Sequence, residues 1–204
     1  TRVGSDITME QLREEFDAVL IAAGLWMGRS TRIPGSGHQD VRRAITLLRD
    51  VANGEEIDVP RRAVVIGGGN VAMDIARTLA RLQHQRFGSA GITVAALEDQ
   101  DHFLADPDEI REAREEGIRI LDARGPQQVV IGDGAVRGLR TWKVLSIFDE
   151  QGRFAPKYDE SDEQLHEGDM VIEAIGQASD VSLLGDDLTE ALEWNRGRLQ
   201  VDDV

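Results

Sequence analysis

One stretch constrains the fold more than any other: a short apolar run, a glycine turn and an amphipathic helix follow each other without interruption. Residues 62–66 (Arg-Ala-Val-Val-Ile) have the pattern of a strand buried on both faces. Gly67-x-Gly69-x-x-Ala72 comes next, and apolar residues then recur at helical spacing from Asn70 to about Leu82. In that order each small residue has a physical role. Gly67 permits the tight turn, Gly69 lets the backbone approach a pyrophosphate, and Ala72 keeps helix and strand close. Asn70 and Val71 open the helix, so their N–H groups and the positive end of the helix dipole face the same phosphates. A glycine-rich turn before an ordinary helix is the plainer reading, and the strand–turn–helix register is what favours dinucleotide binding over it.

Such a site takes an acidic residue after the second strand, about 20 residues on, to bind the adenosine ribose. The next strand is expected over 92–97, and the first acid after it is Glu98, a longer spacing than usual, followed by Asp99 and Asp101. Three carboxylates without an arginine repel a 2′-phosphate, which favours NADH over NADPH. Asp74, one helical turn past the glycines, is placed either near the nicotinamide or simply as a favourable first-turn acid.

Composition removes several other classes. The net charge is −15 and the aromatics are five Phe, three Trp and one Tyr, which argues against nucleic acid and an anionic membrane as partners. With no cysteine there is no disulfide, thiolate zinc site or iron–sulfur cluster held by this stretch. His38, His84, His102 and His166 are scattered, so no metal site is expected. The longest apolar stretch is too short to span a bilayer, and a cytoplasmic location is expected. The polar start without an initiator Met suggests a piece of a longer protein.

Along the chain, Thr8 and Gln11 form a capping box before a short helix over 8–16. Residues 17–24 (Asp-Ala-Val-Leu-Ile-Ala-Ala-Gly) read as a buried strand, 25–37 as loop, and 39–51 as a helix stopped by Asn53-Gly54. Asp106-Pro107 opens another helix, closed at Gly117. Residues 118–121, 128–131 and 136–147 read as an antiparallel meander with a tight turn at 132–134. Residues 149–167 read as polar loop, 169–176 (Asp-Met-Val-Ile-Glu-Ala-Ile-Gly) as a second buried strand, and 188–194 as a short helix before an exposed tail. Segments 17–24 and 169–176 share the pattern D-x-V-h-x-A-h-G, where h is apolar, and suggest two similar sheets. Trp26, Trp142 and Trp194 are expected in the core or at a subunit contact rather than in catalysis.

Residues 65–74 (Val-Ile-Gly-Gly-Gly-Asn-Val-Ala-Met-Asp), 114–118 (Arg-Glu-Glu-Gly-Ile) and 168–177 resemble the small (beta) chain of glutamate synthase and its relatives, as do residues 16–24 and Ile33-Pro34-Gly35. The resemblance implies a Rossmann-like α/β domain, a parallel sheet with a three-stranded antiparallel meander, inserted in an FAD-binding domain. It divides the chain into 1–59 as flanking FAD-domain segment, 60–176 as NAD(P)H-binding domain and 177–204 as return segment. Hydride would pass from NAD(P)H to FAD in the full-length protein, and on to an iron–sulfur or large-subunit acceptor. The family's N-terminal cysteines, first glycine fingerprint and late Gly-Asp flavin motif are missing, so FAD is expected to be absent from this segment. Where NADPH-using relatives carry paired arginines, this chain has Leu97-Glu98. The expected cofactor contacts are Gly67, Gly69, Asn70, Val71 and Ala72 to pyrophosphate, Glu98 to ribose, and Asp74, Ala174, Ile175 and Gly176 towards the nicotinamide; no general acid or base is nominated. A transhydrogenase or pyrimidine reductase of the same architecture, an NAD(H)-sensing or docking module, and FAD at the Gly67 turn are the alternatives.

Overall fold

A computed structural model describes residues 1–195 and 198–200. In chain order the elements begin with α1 (Met9–Glu15), β1 (Met27–Gly28), β2 (Val41–Arg43), α2 (Ala44–Ala52), β3 (Ala63–Ile66) and α3 (Asn70–Phe87). They continue with β4 (Ile92–Ala95), α4 (Pro107–Glu115), β5 (Arg119–Leu121), β6 (Arg124–Gly132), β7 (Ala135–Phe148), β8 (Phe154–Glu167) and β9 (Met170–Glu173). Last come β10 (Gln177–Ala178), α5 (Asp186–Ala191), β11 (Trp194–Asn195) and β12 (Arg198–Leu199). The chain forms two compact units, one of Gly28–Gly176 and one of Thr1–Met27 with Gln177–Val204.

The larger unit has three layers. Its centre is a parallel sheet in the order β2-β9-β3-β4-β5. Both central strands, β3 and β9, are buried along their whole length, because side chains alternate between two covered faces. Ala63, Val65 and Ile172 pack with Leu47, Met73, Ile75, Leu79 and Ile110 from the helices. Val64, Ile66 and Val171 pack on the other face with Val129, Val136 and Leu139. The last three belong to a second sheet, the antiparallel β6-β7-β8. α3 buries Ala72, Ile75, Ala76, Leu79, Ala80 and Gln83 along one stripe. Gln83 is fully buried with its amide satisfied: it donates to the Pro60 carbonyl oxygen and accepts from Gly91 N, both at 2.7 Å.

In the smaller unit Thr8 caps α1 with the reciprocal Thr8–Gln11 pair, at 2.8 and 3.2 Å. Residues 21–25 line a pocket of about 280 Å³ with Leu184 and Trp194, which donates its indole N–H to the Thr189 carbonyl oxygen at 2.8 Å.

Several elements differ from the sequence expectation. Residues 17–24 are irregular and mostly exposed, Leu20 at 90%, because no strand among the described residues pairs with them. The helix expected from 39 starts at Ala44; Val41–Arg43 is instead an edge strand held by β9. α3 runs past Leu82 to Phe87, where Gly88 in the left-handed conformation (φ +79°) caps it. Residues 119–121 join the parallel sheet, and the third meander strand is β8, in the stretch read as polar loop. The last helix lies at 186–191 and Trp194 follows it in β11. Trp26 is exposed rather than core. The expected tail falls largely outside the described residues.

Candidate functional site

The carboxyl ends of β9, β3 and β4 lie side by side, and there Gly67 meets Ala174 and Gly68 meets Glu98. At the end of β3 Gly67 has φ +135°, and its N–H donates to the Ala95 carbonyl oxygen at 3.0 Å. A Cβ on Gly67 would sit 2.5 Å from the Ala174 carbonyl oxygen, so only glycine fits between the two strand ends. Gly68 is buried, and its carbonyl oxygen accepts from Ala105 N at 2.9 Å. Gly69 caps α3 with extended backbone and has nothing within 4 Å of its Cβ direction, which leaves an open approach to the turn. As the first residues of α3, Asn70 and Val71 have no carbonyl a turn behind them to accept their N–H groups. Ala72 is fully buried under the turn. The Asn70 side chain is committed elsewhere: its Oδ1 accepts from Asp106 N at 2.7 Å and so anchors the start of α4.

Of the three acids after β4, only Glu98 reaches the turn. Its Oε2 is buried without a hydrogen-bond partner and lies 2.6 Å from where a Gly68 Cβ would be. A buried, unpaired carboxylate oxygen costs free energy unless something donates to it. The Glu98 backbone is held by Ala123, which has φ +49° and donates its N–H to the Glu98 carbonyl oxygen at 2.8 Å. Asp99 is used up locally: it caps the turn at Gln100–His102, accepting from Asp101 N at 3.1 Å and pairing with His102 Nδ1 at 2.6 Å. That hydrogen bond to His102 holds the Asp99 carboxyl below the usual range and raises the His102 imidazole in turn.

Ala174 follows β9 directly, with its N–H on the Ile66 carbonyl oxygen at 2.9 Å and its own carbonyl against Gly67. Ile175 is partly exposed, and Gly176, φ +100°, accepts from Arg29 N at 3.0 Å. Asp74 is exposed on α3; partial burial raises its carboxyl first, Glu109 of α4 adds to this and Arg77 opposes it. No hydrogen bond among the described residues joins Asp74 to residues 174–176. Sequence reasoning passed over Glu173, fully buried among Arg43, Thr31 and Ser30, although a charged residue within an apolar run is itself a signal. Among the described residues no group of three or more His, Cys, Asp or Glu could hold a metal, and no helix is long and apolar enough to cross a membrane.

The carboxyl edge of a parallel sheet, beside a glycine turn, is where open α/β sheets bind ligands. The family model described as pyridine nucleotide-disulphide oxidoreductase matches residues 4–204. The chain belongs to this family. Among curated family relatives, the glutamate synthase [NADPH] small chain of Halomonas elongata is 35% identical over 187 residues, 85% of this chain and 38% of its own. The NAD-dependent dihydropyrimidine dehydrogenase subunit PreT of Escherichia coli is 39% identical over 128 residues, 62% of this chain and 29% of its own. The chain thus spans less than two fifths of the length of either relative. Among solved structures, Mycobacterium tuberculosis FprA in complex with NADPH has the same fold, with a TM-score of 0.73 at 18% identity, over 89% of this chain and 55% of that one.

Proposed function

We propose that this chain is the nicotinamide-dinucleotide-binding part of a flavin-dependent oxidoreductase, with residues 60–176 carrying the nucleotide and the flanking segments contributing to an FAD-binding domain. The observation that carries this reading is one oxygen of the half-buried Glu98, Oε2, which is enclosed without a hydrogen-bond partner beside the open glycine turn. The turn fits a pyrophosphate through the N–H groups of residues 69–71, and Glu98 fits the adenosine ribose hydroxyls. Residues 174–176, beside Gly67, would face the nicotinamide half. When bound, the nicotinamide supplies a hydride to a flavin, and this chain's residues orient the donor rather than move protons. The relatives' names, a glutamate synthase small chain and a dihydropyrimidine dehydrogenase subunit, support a partner subunit as the further electron acceptor.

Between the two nucleotides we favour NADH. A 2′-phosphate would meet the Glu98 carboxylate in a partly buried site, and residues 99–106 supply no arginine to answer it. Titration with NADH and NADPH, followed by nicotinamide fluorescence at matched salt, tests both statements. NADH is expected to bind tighter by about tenfold or more, equivalent to about 1.4 kcal/mol, and Glu98→Arg to reverse the order. Preference for NADPH in the wild type would overturn the Glu98 argument while keeping the site, and binding of neither would overturn the site.

A further inference from the structure

Glu173 occupies the fifth position of the repeated pattern D-x-V-h-x-A-h-G, where the first copy has Ile21. Nothing in the strand itself calls for a charge there. The side chain is fully enclosed, at 0% exposure, and the carboxylate forms an ion pair with Arg43 of β2. It also accepts from the Thr31 backbone N–H at 2.7 Å, from the Thr31 hydroxyl, and from the Ser30 hydroxyl at 3.4 Å. A buried ion pair is a weak source of stability, since apolar residues of similar size often do as well or better. What the charge adds is geometry. It gathers the end of β2 and the loop at residues 30–31 onto the last residue of β9.

Immediately beyond that point the chain leaves the ladder. Ala174 presses its carbonyl against Gly67, and Gly176 is held by the Arg29 N–H. These are the residues that flank the glycine turn on the side away from Glu98. We propose that Glu173 is a positioning residue for the nucleotide site: its bonds to Arg43 and Thr31 fix residues 174–176 against the Gly67 turn at the nicotinamide end. This rests on the reading of that turn as a nicotinamide-dinucleotide site.

The test separates affinity from stability. The double variant Glu173→Ile/Arg43→Leu replaces the pair with apolar side chains of comparable bulk. It is expected to keep the wild-type urea midpoint, or exceed it, while NADH dissociation constants rise about tenfold or more. Wild-type affinity in that variant overturns the proposal. If the double variant does not fold, Thr31→Val decides, because it removes a single hydroxyl bond. Weaker NADH binding by about threefold at an unchanged midpoint supports the clamp, and unchanged binding overturns it. A wild-type protein that binds neither NADH nor NADPH refutes the nucleotide site itself, and the clamp's role falls with it.

Discussion

Residues 17–24 and 169–176 share one pattern of apolar and small residues, yet one is irregular and exposed and the other is the heart of a sheet. In the second, β9 has β2 on one side and β3 on the other, and Met170 to Glu173 are all buried. In the first, Leu20 and Ile21 are exposed, as are Leu25, Trp26 and Met27 just after it. The difference is one of neighbours. A parallel strand has no hydrogen bonds of its own, so an apolar run becomes a strand only where others complete its ladder and cover its faces. The glycines that end the two copies nevertheless agree: Gly24 has φ +71° and Gly176 φ +100°. Backbone conformation at the glycine is a local property, whereas burial is not.

The sharpest way to break this comparison is to charge both segments. Val171→Asp would bury an unpaired carboxylate between two layers and is expected to cost about 3–5 kcal/mol. Leu20→Asp, at 90% exposure, is expected to stay within about 0.5 kcal/mol of wild type. Urea unfolding of both variants checks this, and an equal cost would mean that residues 17–24 are packed in solution. Next in size is Gly67→Ala, where an enforced positive φ is joined by a clash with the Ala174 carbonyl. About 3 kcal/mol of stability should be lost, and NADH binding with it; a variant that unfolds at the wild-type urea midpoint would show that the two strand ends are not in contact.

What could be read from the sequence follows the same division between local and non-local. The Thr8–Gln11 capping box, Asp106 as cap before Pro107, and the Asp133-Gly134 hairpin turn are determined within a few residues, and each is present. Asp133 and Gly134 both take positive φ, as a two-residue hairpin loop requires. The glycine turn was legible for the same reason. β8 was not: its run of Asp, Glu and Lys hides any alternation, and it is a strand because β7 pairs with it. Nor was β2, whose three residues continue the helical spacing of α2 and are drawn into the sheet by β9. Glu98 was legible as an acid after the second strand. That it stands free while Asp99 is tied to His102 depends on the loop's fold, which spacing cannot supply.

A smaller test asks whether the two terminal glycines are equivalent despite their surroundings. Gly24→Ala and Gly176→Ala each force a Cβ onto left-handed backbone without meeting immovable atoms: the nearest neighbour is the Trp26 indole at 3.2 Å in one case and Arg29 Cδ at 3.9 Å in the other. Each is expected to cost about 1–2 kcal/mol. A Gly24→Ala variant with no loss would place the agreement between the two copies in the pattern alone and not in the folded backbone.

The smallest expected effect concerns acid. All four histidines lie in Gly28–Gly176. His166 is buried, with Nε2 against the Thr141 hydroxyl at 2.9 Å. Burial lowers its affinity for a proton, and Arg119 and Arg124 lower it further. The folded protein therefore holds fewer protons at this site than the unfolded chain, whose imidazole titrates near about 6.5. Stability is complete above that pH and declines as the pH falls below it. His102 has the opposite sign, because Asp99 raises it, but it is fully solvated and screened, and so the buried group prevails. The urea midpoint should fall between pH 7.5 and 5.5 by less than any loss described above. His166→Gln, which keeps a partner for Thr141 and cannot be protonated, should flatten that decline; an unchanged decline would assign it to groups other than His166.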